Sequence, residues 1–247
     1  MISINLTFDL HLHSCLSPCG DADMTPANMA GMCALAGIQA AALTDHNTCG
    51  NCASFCQAAE EYGILALPGM ELTTMEEVHV VCLFPGLAEA EAFGAEVYTH
   101  LPDIPNDVKI FGPQVLMDAS DGILGEEPRM LAGATDIGVY DVSALVERFG
   151  GVAYPAHIDR PSFSLLSNLG LWDPFMGFPL AELSHACPPD FVRKRPDLGN
   201  VHTVTASDAH YLEQIMDAHQ SMDIPQRTTQ AVLDWLRAGA QSGTPNE

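Results

Sequence analysis

Ten histidines and 32 acidic residues occur in a chain of 247, and a subset is spaced to suit metal-assisted hydrolysis. His11 and His13 stand two residues apart in INLTFDLHLH, and Asp208 and His210 repeat that interval in VHTVTASDAH. On a β-strand, residues i and i+2 share a face, so each pair can pinch an ion from one side. Asp45 and His46 close AAALTDH, Glu71 stands in ILALPGMELTT and His157 in GVAYPAHI. Neutral imidazole and carboxylate are donors favoured by Zn, Mn and Fe, and a carboxylate such as Glu71 can bridge two ions roughly 3.5–4 Å apart. Any one of these residues alone reads as an ordinary core or surface group. Their recurrence at successive strand ends reads as one shared metal site.

Those residues need elements to carry them. Apolar, β-type runs cover 4–13, 40–46, 64–74, 78–84, 151–158, 180–186 and 201–210, and helix-like stretches cover 26–36, 50–62, 87–97, 140–149 and 227–240. Alternation of strand and helix predicts a mainly parallel sheet, open or closed. Reactive groups in such sheets gather at the C-terminal edge, because the loops leaving it vary while the sheet holds the geometry. The step from the third run to the fourth is too tight for a helix. Residues 101–138, rich in Pro, Gly and Asp, are too long for a simple loop and predict an insertion or lid. His100, His202 and His219 lie off the reactive edge and read as structural, and the tail AQSGTPNE is expected to fray.

The composition bounds the rest. Hydrophobic residues make up 47% and charged ones 17%, enough apolar material for one large core. The formal charge is −23, from 32 acids against 9 Lys and Arg, which disfavours long nucleic acid as a partner unless basic groups cluster locally. Arg193, Lys194 and Arg195 are such a cluster. With no long apolar run and no basic leader in MISINLTFDLHLHS, the expectation is a soluble, cytoplasmic protein without a membrane partner. Nothing in the sequence speaks to oligomeric state. Eight cysteines without an export signal predict free thiols rather than disulfides. Three of them, Cys49, Cys52 and Cys56 in TDHNTCGNCASFC, follow an i, i+3, i+7 pattern that lies along one face of a helix. That is the spacing of an apolar stripe, and core packing is the favoured reading. A cluster or redox role stays open, with Cys15 or Cys19 as the nearest fourth ligand.

Taken together and in order, FDLHLHSCLSP, ALTDHNT, PGMELTT with EVHVVCLF, YPAHIDRP and TASDAHY resemble the polymerase and histidinol phosphatase (PHP) domain family over nearly the whole chain. The resemblance implies one domain, 1–247, folded as a distorted (β/α)₇ barrel of the α/β class. It also implies two or three divalent ions (Zn, Mn or Fe) at the barrel mouth and hydrolysis of phosphate esters. By the same resemblance His11, His13, Glu71 and Asp208 hold one ion, and Glu71, His79 and His157 a second. His46 and His210 are similar to ligands of a third, completed in the family by a His or Asp shortly after H-x-H. This chain departs from that pattern, offering Pro18, Cys19 and Asp21. Cys19 would soften the site toward Zn or Fe, Asp21 would keep it suited to Mn, and Asp21 is the preferred candidate.

The expected chemistry is attack of an activated water on phosphorus, with the metals holding the phosphoryl oxygens. Arg160, three residues after His157, suits bidentate contact with phosphate, against a structural ion pair. His185, ending LAELSHA, suits proton donation to the leaving oxygen, against a packing role. Arg129 reaches the site only if the insertion folds over it. A small phosphomonoester or nucleotide is the expected substrate. The alternatives are a noncatalytic metal-binding or regulatory PHP module and a redox or iron–sulfur protein that uses the cysteines.

Overall fold

A computed structural model of the protein describes residues 3–217 and 220–239. His219 and the 240–247 tail lie outside the described residues. Among the described residues ten strands run in chain order: β1 (Ile4–Leu12), β2 (Ala40–Leu43), β3 (Leu65–Thr73), β4 (His79–Leu83), β5 (Val115–Met117), β6 (Ile123–Glu126), β7 (Val152–Pro155), β8 (Ala181–Ser184), β9 (Thr203–Ala206) and β10 (Gln220–Ile224). The helices are α1 (Pro26–Leu35), α2 (Cys52–Glu61), α3 (Leu87–His100), α4 (Val108–Phe111), α5 (Val139–Glu147), α6 (Leu165–Asn168) and α7 (Thr229–Arg237).

Six strands form one curled sheet in the order β10-β1-β2-β3-β4-β7, and β8 pairs with β9 in parallel. Single bonds link the two sheets: Ile158 N donates to Glu182 O at 2.8 Å, and His13 N to Ala209 O at 3.0 Å. The strands lie at the seven apolar runs, with β5, β6 and β10 in addition. The domain is mixed α/β, and its six-stranded sheet departs from a regular strand–helix alternation in two places. β4 is antiparallel to both β3 and β7 with no helix before it, and β10 is antiparallel to the first half of β1.

The seven runs are apolar almost throughout because both faces of these strands are covered. The two-residue period sorts their side chains between two cores. Ala40, Ala42, Val81 and Leu83 face an inner cluster with Phe8, Tyr154 and Met222, while Ala41, Leu43, Val80 and Cys82 face an outer cluster under the helices. α7 adds Val232, Leu233, Trp235 and Leu236 to the inner cluster, and Trp235 meets Phe8 edge-on at 5.6 Å. Start signals at helix N-termini are local: Thr25 Oγ1 accepts from Asn28 N and Pro26 begins α1, while Thr228 Oγ1 accepts from Ala231 N at α7.

The 101–138 segment contributes α4 and the β5–β6 hairpin, and polar bonds rather than a broad core tie it down. Asn51 Nδ2 donates to Val115 O (3.1 Å) while its Oδ1 accepts from Met117 N (3.0 Å), and Val115 N donates to Cys15 O (3.2 Å). Asn47, at φ 53°, donates to Leu131 O and Gly133 O. Among the described residues no helix is long and apolar enough to cross a membrane.

Candidate metal centre

One edge of the curled sheet collects the polar groups. β1 brings His11 and, one residue past its end, His13; β3 brings Glu71. His46 follows β2, His157 follows β7, and Asp208 and His210 follow β9. His79 is the first residue of β4, yet it reaches the same edge because β4 runs the other way and pairs His79 with Thr73 at the end of β3. His157 (φ 29°) and Asp208 (φ 50°) sit in left-handed backbone that non-glycine residues enter at a cost, a strain that clusters at functional sites.

Glu71 is the hub. Its Oε1 lies 3.3 Å from His11 Nε2, 3.0 Å from His79 Nδ1 and 3.2 Å from His157 Nε2; its Oε2 lies 3.2 Å from His13 Nε2 and 3.0 Å from His46 Nδ1. Asp208 Oδ1 stands 3.3 Å from His11 Nε2 and 3.1 Å from His13 Nε2. Among the described residues three groups converge closely enough to hold an ion: His11, His13, Glu71 and Asp208; His46, Glu71 and His79; His13, His46 and His210. Proximity alone would fit a hydrogen-bonded polar core, but the donor atoms are not satisfied that way. His46 Nδ1, Glu71 Oε2, His79 Nδ1 and Asp208 Oδ1 are buried without a hydrogen-bond partner. Each such orphan costs about 1–3 kcal/mol, and a divalent cation among them would satisfy several at once. The residues fit metal ions.

Contacts behind the cluster set which nitrogen faces it. His11 Nδ1 donates to the Glu182 carboxylate (2.9 and 3.1 Å), so Nε2 points inward. Ser17 Oγ donates to Asp45 (2.7 Å) and therefore accepts from His13 Nδ1 (2.9 Å), again turning Nε2 toward the cluster. His210 Nδ1 donates to Asp208 O at 2.7 Å. This is the arrangement by which carboxylates and carbonyls fix metal-binding imidazoles. Asp45 is itself held by Ser14 N (2.7 Å) and Ser14 Oγ (2.6 Å). Behind β9, Ser207 Oγ donates to Asp9, whose carboxyl burial pushes up to about 6.

Charge divides the cluster. Burial works against ionisation of Glu71, but His79, His11 and His46 outweigh it and hold the carboxyl well below the usual range. Burial would also depress His13, yet Asp208 and Glu71 lift it to about 9. Burial wins at His46, lowered to about 3, and at His210, lowered to about 4 with help from His13. The outer imidazoles are therefore neutral, the form that ligates.

Eight of the sequence-predicted residues (His11, His13, His46, Glu71, His79, His157, Asp208 and His210) thus meet at one place. Arg160 joins them, its Nη1 2.5 Å from Asp208 Oδ2, and with Ser162 and Phe163 it lines a cavity of about 80 Å³ over the cluster. Asp21 does not join. Its Oδ1 closes a local turn by accepting from Asp23 N (2.9 Å), and only its backbone N touches the site, at His210 O. Cys19, exposed on the same loop, has its thiol pushed up by local desolvation and by the charges of Glu71 and Asp208. His185 also stays out: β8 ends at Ser184, which Asp159 holds at both N and Oγ, and the imidazole beyond it is exposed and does not line the cavity. Arg129 lies over the Tyr98 ring and donates to Tyr98 O, anchoring the insertion rather than covering the site. Lys194 and Arg195 are paired with Asp190 and Asp197. Sequence reasoning missed Glu182, Ser17, Ser162 and Phe163. Glu182 carried a readable signal, since a carboxylate in an apolar strand needs a buried partner.

The PHP domain family model matches residues 9–136, just over half the chain. The chain belongs to the PHP domain family. PHP proteins are metal-dependent hydrolases. None of the curated proteins matches the sequence. Among solved structures, the lesion-specific endonuclease PfuEndoQ from Pyrococcus furiosus is 14% identical with a TM-score of 0.66, over 97% of this PHP chain and 57% of its own. Endonuclease Q in complex with a 27-mer duplex carrying an abasic lesion at the active site is 15% identical with a TM-score of 0.58, over 85% of this chain and 50% of its own. A putative metal-dependent phosphoesterase from Bifidobacterium adolescentis is 18% identical with a TM-score of 0.57, over 83% and 87%. The chain thus spans 57% of one endonuclease and 50% of the other, and at these identities the likeness is one of fold.

The duplex complex corrects one expectation. A net charge of −23 argues against long nucleic acid, yet a protein of this fold holds a DNA duplex at its active site. Net charge sums the whole surface, whereas a phosphate backbone meets the local potential of a mouth, which here has Arg160 at its rim.

Proposed function

We propose that this PHP protein hydrolyses phosphate esters, with small phosphomonoesters or nucleotides as substrates. The observation that carries the reading is the convergence of partnerless buried imidazole and carboxylate atoms on Glu71, beneath a cavity rimmed by one guanidinium. Two or three divalent ions, Zn, Mn or Fe, would supply positive charge against the phosphoryl oxygens and acidify a water.

In this reading His11, His13, Glu71 and Asp208 hold one ion and Glu71, His79 and His157 a second. His46 and His210 serve a third together with His13, in place of Asp21. Glu71, kept ionised by its histidines, is the shared ligand. Arg160 orients the phosphoryl group while its pairing with Asp208 keeps the guanidinium at the rim. The small cavity suits a phosphoryl group with its ester oxygen directed outward. We also read the curled sheet as a distorted seven-stranded barrel of β1–β4 and β7–β9, with 101–138 as an insertion of the same domain bordering its mouth.

Protein reconstituted with Mn, Zn or Fe and offered phosphomonoesters, diesters, and single- and double-stranded oligonucleotides with and without an abasic site tests this directly. Cleavage of small monoesters, abolished by chelation and restored by metal, is the expected result. Cleavage of oligonucleotides alone would overturn the substrate class but keep the reaction. Full metal occupancy with no hydrolysis in any arm would overturn the reaction and leave a noncatalytic metal-binding module.

A further inference from the structure

Beside the cavity over the cluster lies a second, of about 470 Å³, between the 18–22 loop and the inserted segment. Cys19 and Asp21 line one wall, Ile110, Phe111 and Ile123 the other, and Tyr211 is part of it too. The two cavities adjoin. His210 lines the first and its neighbour Tyr211 the second, Asp21 N donates to His210 O at 2.9 Å, and the Cys19 thiol feels the charges of Glu71 and Asp208. Ile110 and Ile123 are each 72% exposed and Tyr211 47%, so the insertion presents open apolar side chains to the space next to the polar centre. Apolar surface continuous with convergent polar groups marks a ligand site, and the volume falls within the range of small-molecule pockets. Asp21 is the one charged side chain on the lining, which repels a second phosphate and suits a neutral group.

We infer that this groove binds the neutral, ring-bearing alcohol portion of a phosphate ester, so that the substrates are aryl or nucleoside monophosphates. This rests on the phosphoesterase reading above. Phe111 and Tyr211 supply aromatic faces for the ring, and the isoleucines cover its edge. Binding energy gained there on the non-reacting part of the ester is available for orienting the phosphoryl group.

The test compares metal-loaded wild type with Ile110→Asp, Ile123→Asp and Tyr211→Ala. The isoleucines are exposed, so the fold is not at risk, and thermal melts verify it. Phenylphosphonate and methylphosphonate, which carry no scissile ester, are titrated by calorimetry. Phenyl phosphate, AMP and methyl phosphate are assayed for kcat/KM, so that the aryl and nucleoside arms are read separately. Wild type is expected to bind phenylphosphonate about tenfold more tightly than methylphosphonate, a reasonable return for burying one ring. The aspartate variants are expected to lose most of that advantage and to lower the ring-to-methyl ratio of kcat/KM in parallel. Equal binding of the two phosphonates by wild type would overturn the inference, as would a ring preference that survives in all three variants. A preference lost instead in Phe163→Ala would also overturn it, placing the ring against the aromatic stacked on His79 at 4.8 Å. Wild type that prefers phenylphosphonate but cleaves none of the esters would sink the phosphoesterase reading and leave the groove assignment standing.

Discussion

The histidine cluster and the cysteines at the start of α2 are neighbours in sequence, and each offers several metal-type side chains at ordered spacing. Their atoms are spent differently. Around Glu71, four buried nitrogen and oxygen atoms have no hydrogen-bond partner and face a common space. Cys49 lies ahead of α2 rather than on its face with Cys52 and Cys56, yet the Cys49 and Cys52 thiols both donate to Gly69 O at 3.3 Å, deep in the outer core. The Cys52 thiol is held well above its ordinary range by its contact with Cys49 and by burial, and burial pushes Cys56 up to about 12. Among the described residues, the groups able to hold an ion contain no cysteine. Ligand-type residues become a candidate site when their lone pairs remain uncommitted, and become a core when the backbone has already claimed them.

Removing the hub attacks the comparison most directly. Glu71→Gln keeps the shape but replaces an ionised carboxylate with a neutral amide, and should cost at least half the bound metal. The proposed hydrolysis of phosphate esters should fall on the order of 10²–10³-fold. Elemental analysis beside kinetics checks both, and undiminished metal content would remove Glu71 from the centre. Glu182→Gln should come next, with metal affinity reduced about 10–100-fold, because a Gln amide can present either donor or acceptor to His11 Nδ1 and no longer fixes the tautomer. Competition with a fluorescent chelator measures it; an affinity equal to wild type would make the 2.9 Å contact ornamental.

These two residues also show how far the sequence carries. Glu71 and most of the ligands were legible because imidazoles and carboxylates are conspicuous at the ends of apolar runs, and those runs are apolar because the strands are buried on both faces. His79 was reached only through the family resemblance, since it opens an antiparallel strand instead of closing a parallel one. That Glu182 needs a buried partner was legible, but not which one, because its histidine lies 171 residues away. Asp21 and His185 were placed by spacing along the chain, which does not reveal that Asp23 N turns the first carboxylate away or that β8 stops at Ser184. β10 and the inserted hairpin escaped for a related reason: one is short and half polar, and the other is held by Asn51 side-chain bonds to Val115 and Met117 rather than by apolar periodicity.

A smaller effect is expected where the link to the metal passes through a hydroxyl. Ser17 joins Asp45 to His13 and also accepts from His46 N at 3.2 Å. Ser17→Ala leaves the Asp45 carboxylate bonded to Ser14 but strips His13 Nδ1 of its acceptor, so metal affinity should drop about tenfold, the low end for such contacts. Ser17→Thr, which restores the hydroxyl, should recover most of it; failure of that rescue would point to crowding in the buried loop.

The cysteine side of the comparison should yield the least. Cys49→Ser with Cys52→Ser keeps a donor for Gly69 O but places two hydroxyls among Phe55, Phe93 and Met70. The penalty should appear as stability, about 1–2 kcal/mol in denaturant unfolding. Metal content and kcat/KM should match wild type, because neither thiol faces the cluster. Visible absorbance in anaerobically purified wild type that disappears in the double variant would reverse this, and so would loss of bound metal. Either would mean that a thiol donating to a carbonyl at 3.3 Å can still be recruited as a ligand, and the contrast between spent and unspent lone pairs would no longer separate the two halves of TDHNTCGNCASFC.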